Sequence, residues 1–146
     1  MDKTLVIFSA LLVVSLIVGA GMFVTSAGNT GFTKESAIDT ATQFVNGEAT
    51  YKYDGMHETL TTDAMKAQLE TNPAQEVYLV LANFTSRQAG YGDRSGMMSA
   101  DVLTPHTCEI AIDQGGNVLS AVMDDQWDMV KQQMIASSAC PKYITH

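Results

Sequence analysis

Glu76 to Ser86, EVYLVLANFTS, decides the fold. Its apolar residues fall on both faces of an extended chain, which predicts a central strand covered on at least one side. Upstream, Thr62 to Thr71 predicts a short helix capped by Thr62 or Asp63 and ended by Asn72-Pro73. Downstream, the glycine-rich Arg87 to Gly96 connects to two further strands, Met97 to Leu103 and Thr107 to Asp113, broken at Thr104-Pro105-His106. Gln114-Gly115-Gly116-Asn117 is a tight hairpin with Val118 to Met123 as its return strand.

Further out, Thr33 is a good N-cap, and Phe32 can staple onto Ala37. Ala37, Ile38, Ala41, Phe44 and Val45 follow helical spacing, and Asn46-Gly47 ends the helix. Glu48 to Tyr53 and Met56 to Thr62 read as strands around an Asp54-Gly55 turn. Asp124 or Asp125 caps a last helix to about Ile135, burying Trp127, Val130 and Met134, with Met123 and Met129 as further core filler. The expected class is α+β, an amphipathic helix on an antiparallel sheet of about five strands with a short C-terminal helix. The domain spans 33–136, after a linker at 28–32 and before a flexible tail at 137–146.

Thr4 to Val24, TLVIFSALLVVSLIVGAGMFV, is 21 residues without a charge. A bilayer-spanning helix takes about 20 such residues and a signal-peptide core about 7 to 15, so residues 1–27 read as a signal anchor or a signal peptide, the anchor favoured. Lys3 and the amino terminus fall on the cytoplasmic side by the positive-inside tendency. The expectation is a single-pass membrane protein with its C-terminal domain outside. Cleavage after Ala20 or Ala27 and secretion is the alternative.

The net charge of −8 stays with the domain once residues 1–27 are set aside. Such a surface repels phosphate backbones, which argues against nucleic acid as a partner. Cys108 and Cys140 are a candidate disulfide in an oxidising compartment, or two free thiols. No cofactor fingerprint is present.

The RQAGYGDRSG loop, Arg87 to Gly96, is the best site candidate. Its glycines let a partner approach the backbone, Arg87 and Arg94 offer forked donors for carboxylates, and Tyr91 offers a flat surface. The structural alternative pairs Asp93 with an arginine and lays Tyr91 over the sheet edge. His106 stands two residues from Cys108. On one strand face the two side chains would be about 7 Å apart, too far for a thiol–imidazole bond. With His57-Glu58 on another strand they make a weak metal set. Pro105 is either cis or at a sheet edge. Gly92-Asp93-Arg94-Ser95-Gly96 breaks the protease Gly-Asp-Ser-Gly spacing, and the chain has no nucleophile elbow, which argues against a serine hydrolase. Asn83-Phe84-Thr85 is a glycosylation sequon in a strand expected to shield it.

CEIAIDQGGNVLSAVMD (108–124) resembles the closing hairpin of PepSY-type domains, and ESAIDTATQFV (35–45) is similar to their leading helix. With AGYGDRSG, TPHT and AVMDDQWDM, Phe32 to Ile135 also resembles small membrane-anchored or secreted archaeal proteins without an assigned function. The resemblance implies a PepSY- or cystatin-like unit associated with extracytoplasmic binding, including restraint of proteases. The leading reading is therefore a binding module for an envelope protein or a peptide. A surface-filament subunit comes second. A small metal-assisted enzyme using His57 and His106 comes last.

Overall fold

The computed structural model describes residues 31–136 and 143–145. The element order is helix α1 (Lys34–Gly47), helix α2 (Ala49–Asp54), a 3-10 turn (His57–Thr59) and strands β1 (Thr61–Leu69) and β2 (Asn72–Ser86). Then come β3 (Thr104–Ile112), β4 (Val118–Met123), β5 (Trp127–Asp128), β6 (Gln133–Met134) and β7 (Tyr143–Thr145). All seven strands form one antiparallel, curled sheet in the order β6-β5-β4-β3-β2-β1-β7. The protein is α+β. Among the described residues no helix is long and apolar enough to cross a membrane, and the Thr4 to Val24 run lies outside them.

Thr33 caps α1 as its sequence suggests, accepting from Ser36 N at 3.2 Å. Ala37, Ala41 and Val45 are buried against Val80, Ala82, Phe84, Ile110 and Ile112 on the front face of the sheet. Alanines at 37, 41 and 64 keep the contact side of this core small, and a larger side chain there would cost about 1–3 kcal/mol in overpacking. Phe32 meets the Tyr78 ring edge-on at 5.8 Å. It also lies under Gly116, where a Cβ would come within 3.1 Å of the ring at a φ of +83°. Both reasons demand glycine in that hairpin.

Several expectations are corrected. Glu48 to Tyr53 is not a strand. Glu48 accepts from Tyr51 N at 3.1 Å and so caps a second helix, a role for which glutamate is a weak sequence signal. Only the last residues of Met56 to Thr62 are strand, and a 3-10 turn precedes them. There Thr85 N donates to Thr59 Oγ1 at 2.8 Å and Met56 N donates to Thr85 O at 2.8 Å, so the turn occupies the flank of β2 beyond the end of β1. Thr62 to Thr71 is mostly β1, not a helix. Its helix-favouring Ala, Met, Lys and Gln residues pair with β2 from Thr61↔Asn83 to Leu69↔Asn72, and that ladder outweighs propensity.

Met97 to Leu103 is not a strand either. β3 begins at Thr104 and runs straight through Pro105, which lies opposite Thr85 with a trans peptide. The final helix is absent. Asp124 and Asp125 adopt φ of +52° and +58°, and Gln126 N donates to Met123 O at 3.0 Å. Two left-handed residues in succession make a hairpin turn, so Trp127 begins β5, and Val130 and Met134 are exposed while Met129 is buried. In the expected tail, Tyr143–Thr145 pairs with β1 at Ala67 to Leu69.

Candidate functional site

Between β2 and β3 the chain from Arg87 to Leu103 closes one end of the sheet, and buried polar groups pin it from below. Arg94 is 4% exposed. It donates to Asp54 Oδ1 at 2.5 Å and to the carbonyls of Gly90 and Gly92 at 2.8 and 3.2 Å. Its guanidinium lies 4.9 Å over the Tyr53 ring. Gly90 and Gly92 carry φ of +103° and +72°, the conformation that turns both carbonyls toward one guanidinium. Gly92 N donates to Thr50 Oγ1 at 2.8 Å. Arg94 is thus the keystone of the loop and is not presented to a ligand. Its partner is Asp54, whereas Asp93 is exposed and caps Ser95 N at 2.9 Å.

Beneath the loop lies a hydrogen-bonded chain. His106, 3% exposed, places Nδ1 at 2.7 Å from Asp124 Oδ2 and Nε2 at 3.0 Å from Ser86 Oγ. Asp124 also accepts from Thr107 N at 2.7 Å and from Tyr91 Oη at 3.1 Å. Burial opposes ionisation of Asp124, but the bonds from His106, Thr107 and Tyr91 prevail and hold its carboxyl below the ordinary range. Burial and the nearby Asp124 charge push Tyr91 up to about 12. The Tyr91 ring stacks on Trp127 at 5.7 Å and lies 5.6 Å from His106. Asp124, His106 and Ser86 stand in the order used by serine hydrolases, but Ser86 has no exposed surface and its hydroxyl lies 2.7 Å from the Gln88 carbonyl. This hydroxyl is not poised for attack on a substrate.

A second buried node is Glu48. Besides Tyr51 N, its carboxylate accepts from Thr50 Oγ1 at 3.1 Å and from Trp127 Nε1 and Gln132 Nε2, each at 3.2 Å. It ties the two helices to the β5–β6 hairpin.

The outer side of the loop is different. Arg87 is exposed and borders a groove of about 660 Å³ with Tyr53, Asp54, Met56, Gln88, Asp101 and Leu103. Leu103 lines this groove, and in the same loop Met97, Met98, Val102 and Leu103 are 69, 105, 54 and 67% exposed. Gln88 braces the legs of the loop through Asp101 at 3.1 Å and through Ser99.

Of the residues singled out from sequence, then, Tyr91, Arg94 and His106 are brought together as inner supports, while Arg87 and Asp93 face outward. Cys108 is a buried free thiol on the helix-facing side of β3, and burial, then Asp124 and Glu48, push its pKa up. Cys140 lies outside the described residues. Asn83 is exposed, against the shielding expected of its strand, and accepts from Thr107 Oγ1 at 2.9 Å. His57 contacts Tyr51 Oη at 3.0 Å, and the Tyr51 and Phe84 rings separate it from His106. Among the described residues no three His, Cys, Asp or Glu side chains converge as metal ligands. Ser86, Asp124, Asp54 and Glu48 were missed because the side chains that join them to the buried network, His106, Arg94 and Trp127, lie far from them in sequence. The one local signal was the Asp124-Asp125 pair, whose tolerance of left-handed φ marks a turn as well as a cap. Comparison with protein families, with curated proteins and with solved structures finds no match.

Proposed function

We propose that this chain is a membrane-tethered, extracytoplasmic module of PepSY- or cystatin-like type. It binds an envelope protein or a peptide through the outer side of the Arg87 to Leu103 loop, and restraint of a protease is one form such binding takes. The observation that carries this reading is the exposure of Met97, Met98, Val102 and Leu103 on the loop that also supplies Arg87 and Leu103 to the groove, a loop pinned from beneath. Exposed apolar area costs about 25 cal/mol per Å² relative to burial, and several large apolar side chains left exposed on one braced loop favour an interaction surface. The groove volume falls in the range of ordinary ligand clefts, about 300–1,000 Å³.

The test is site-specific photocrosslinking in membranes carrying the full-length chain. A crosslinker at position 98 should give a discrete adduct that disappears in an Arg87→Ala, Leu103→Asp background, and one at position 117 should not give it. Equal adducts from both ends would refute the assignment.

A further inference from the structure

The Ser86 hydroxyl has one hydrogen and two acceptors in reach, the Gln88 carbonyl at 2.7 Å and His106 Nε2 at 3.0 Å. Asp124 Oδ2 at 2.7 Å fixes a hydrogen on His106 Nδ1. A neutral ring therefore has a bare Nε2, which takes the Ser86 hydrogen and leaves the Gln88 carbonyl without it. A protonated ring donates from Nε2 to Ser86 Oγ, and the hydroxyl is free to donate to Gln88. Only the second arrangement satisfies all three contacts at once.

We propose that His106 is a pH-operated latch on the docking loop: one proton on its ring, relayed through the Ser86 hydroxyl, fastens the root of the loop at Gln88. Gln88 is the right place for such a control. Its carbonyl is held by Ser86 and its side chain by Ser99 and Asp101, so a loosened Gln88 frees both legs of the loop that carries Arg87 and the exposed apolar residues. Histidine is the side chain whose charge ordinarily changes between about pH 5 and 8. Acid thus fastens the loop and alkali releases it. The groups facing the ring account for the direction. Asp124, from the β4–β5 turn, is its counter-charge, and Tyr91, from the loop, donates to that same carboxylate. Phe84 of β2 covers the ring at 5.0 Å. Cys108 on its own strand is a buried thiol with its pKa pushed up, and Glu48 occupies the neighbouring node. His57 is bonded to Tyr51 and lies behind Phe84, outside the relay.

The consequence for binding rests on the loop being the docking element, whereas the latch does not. The experiment reads the two apart. Hydrogen exchange of the loop amides is followed between about pH 5 and 8 in the full-length chain in detergent micelles, corrected for intrinsic rates, alongside the ring resonances of His57 and His106. Losing one ordinary hydrogen bond at the root predicts an approximately fivefold rise in loop opening, with the same midpoint as the His106 ring and unchanged in His57→Gln. The step should vanish in Ser86→Ala. A loop whose protection stays level while the His106 ring titrates overturns the latch, and so does a ring that does not titrate in this interval. A Ser86→Ala protein that folds and keeps the step does the same. The wild-type measurement decides alone if Ser86→Ala does not fold. Crosslinking from position 98 at both pH limits then reports on docking separately.

Discussion

The indole Nε1 of Trp127 donates to the carboxylate of Glu48 at 3.2 Å, joining the β5–β6 hairpin to the junction between the first two helices. The two residues are 79 apart in sequence. The carboxylate is 4% exposed and accepts from three other donors, so it replaces its lost water with a full set of hydrogen bonds.

Glu48→Ala strands those donors and removes a helix cap. A stability loss of about 3 kcal/mol is expected, read from urea unfolding, with Glu48→Gln losing less because one oxygen remains.

Arg94 and Asp54 form a buried ion pair, with Arg94 Nε and Asp54 Oδ2 left without a partner. Breaking such a pair from one side costs about 3–5 kcal/mol. Arg94→Ala and Asp54→Ala should each approach that loss, and the double variant should fall well short of their sum. Additive losses would show that the two residues act separately.

The pH dependence has a definite sign at both limits. The folded pKa of Tyr91 is raised to about 12, so its contribution is complete below the unfolded value of about 10 and is lost as pH rises through the folded one. The folded pKa of Asp124 is lowered, so its contribution is present above the unfolded value of about 4 and is lost as pH falls through the folded one. Tyr91→Phe should remove the alkaline loss attributable to this residue, seen as one fewer late tyrosinate in an ultraviolet titration. Asp124→Asn should flatten the acid limb while keeping the turn, since asparagine tolerates the φ of +52°.

Cys108 is completely buried, and burial disfavours its thiolate. Alkylation with iodoacetamide should spare it in the native protein and reach it on unfolding. Rapid native labelling at this position would mean that the helix-facing core opens readily.

Local pattern was enough for several elements. Thr33 and the Ala37, Ala41, Val45 stripe specify α1, the apolar run around Val80 specifies the central β2, and Gly115-Gly116 specifies the β3–β4 hairpin. Each is stated by neighbours within a few residues, through periodicity or an obligatory backbone conformation. The tertiary structure alone decided the rest. Thr61 to Leu69 carries helix-forming residues and becomes a strand because β2 offers it a complete ladder. Asp124 can cap a helix or turn a hairpin, and its bonds to His106, Thr107 and Tyr91 select the turn. Arg94 looked like a ligand-binding cation until Asp54, 40 residues away, proved to hold it. A buried charge or hydroxyl is specified by the partner that replaces its water, and that partner comes within reach only after the sheet has paired.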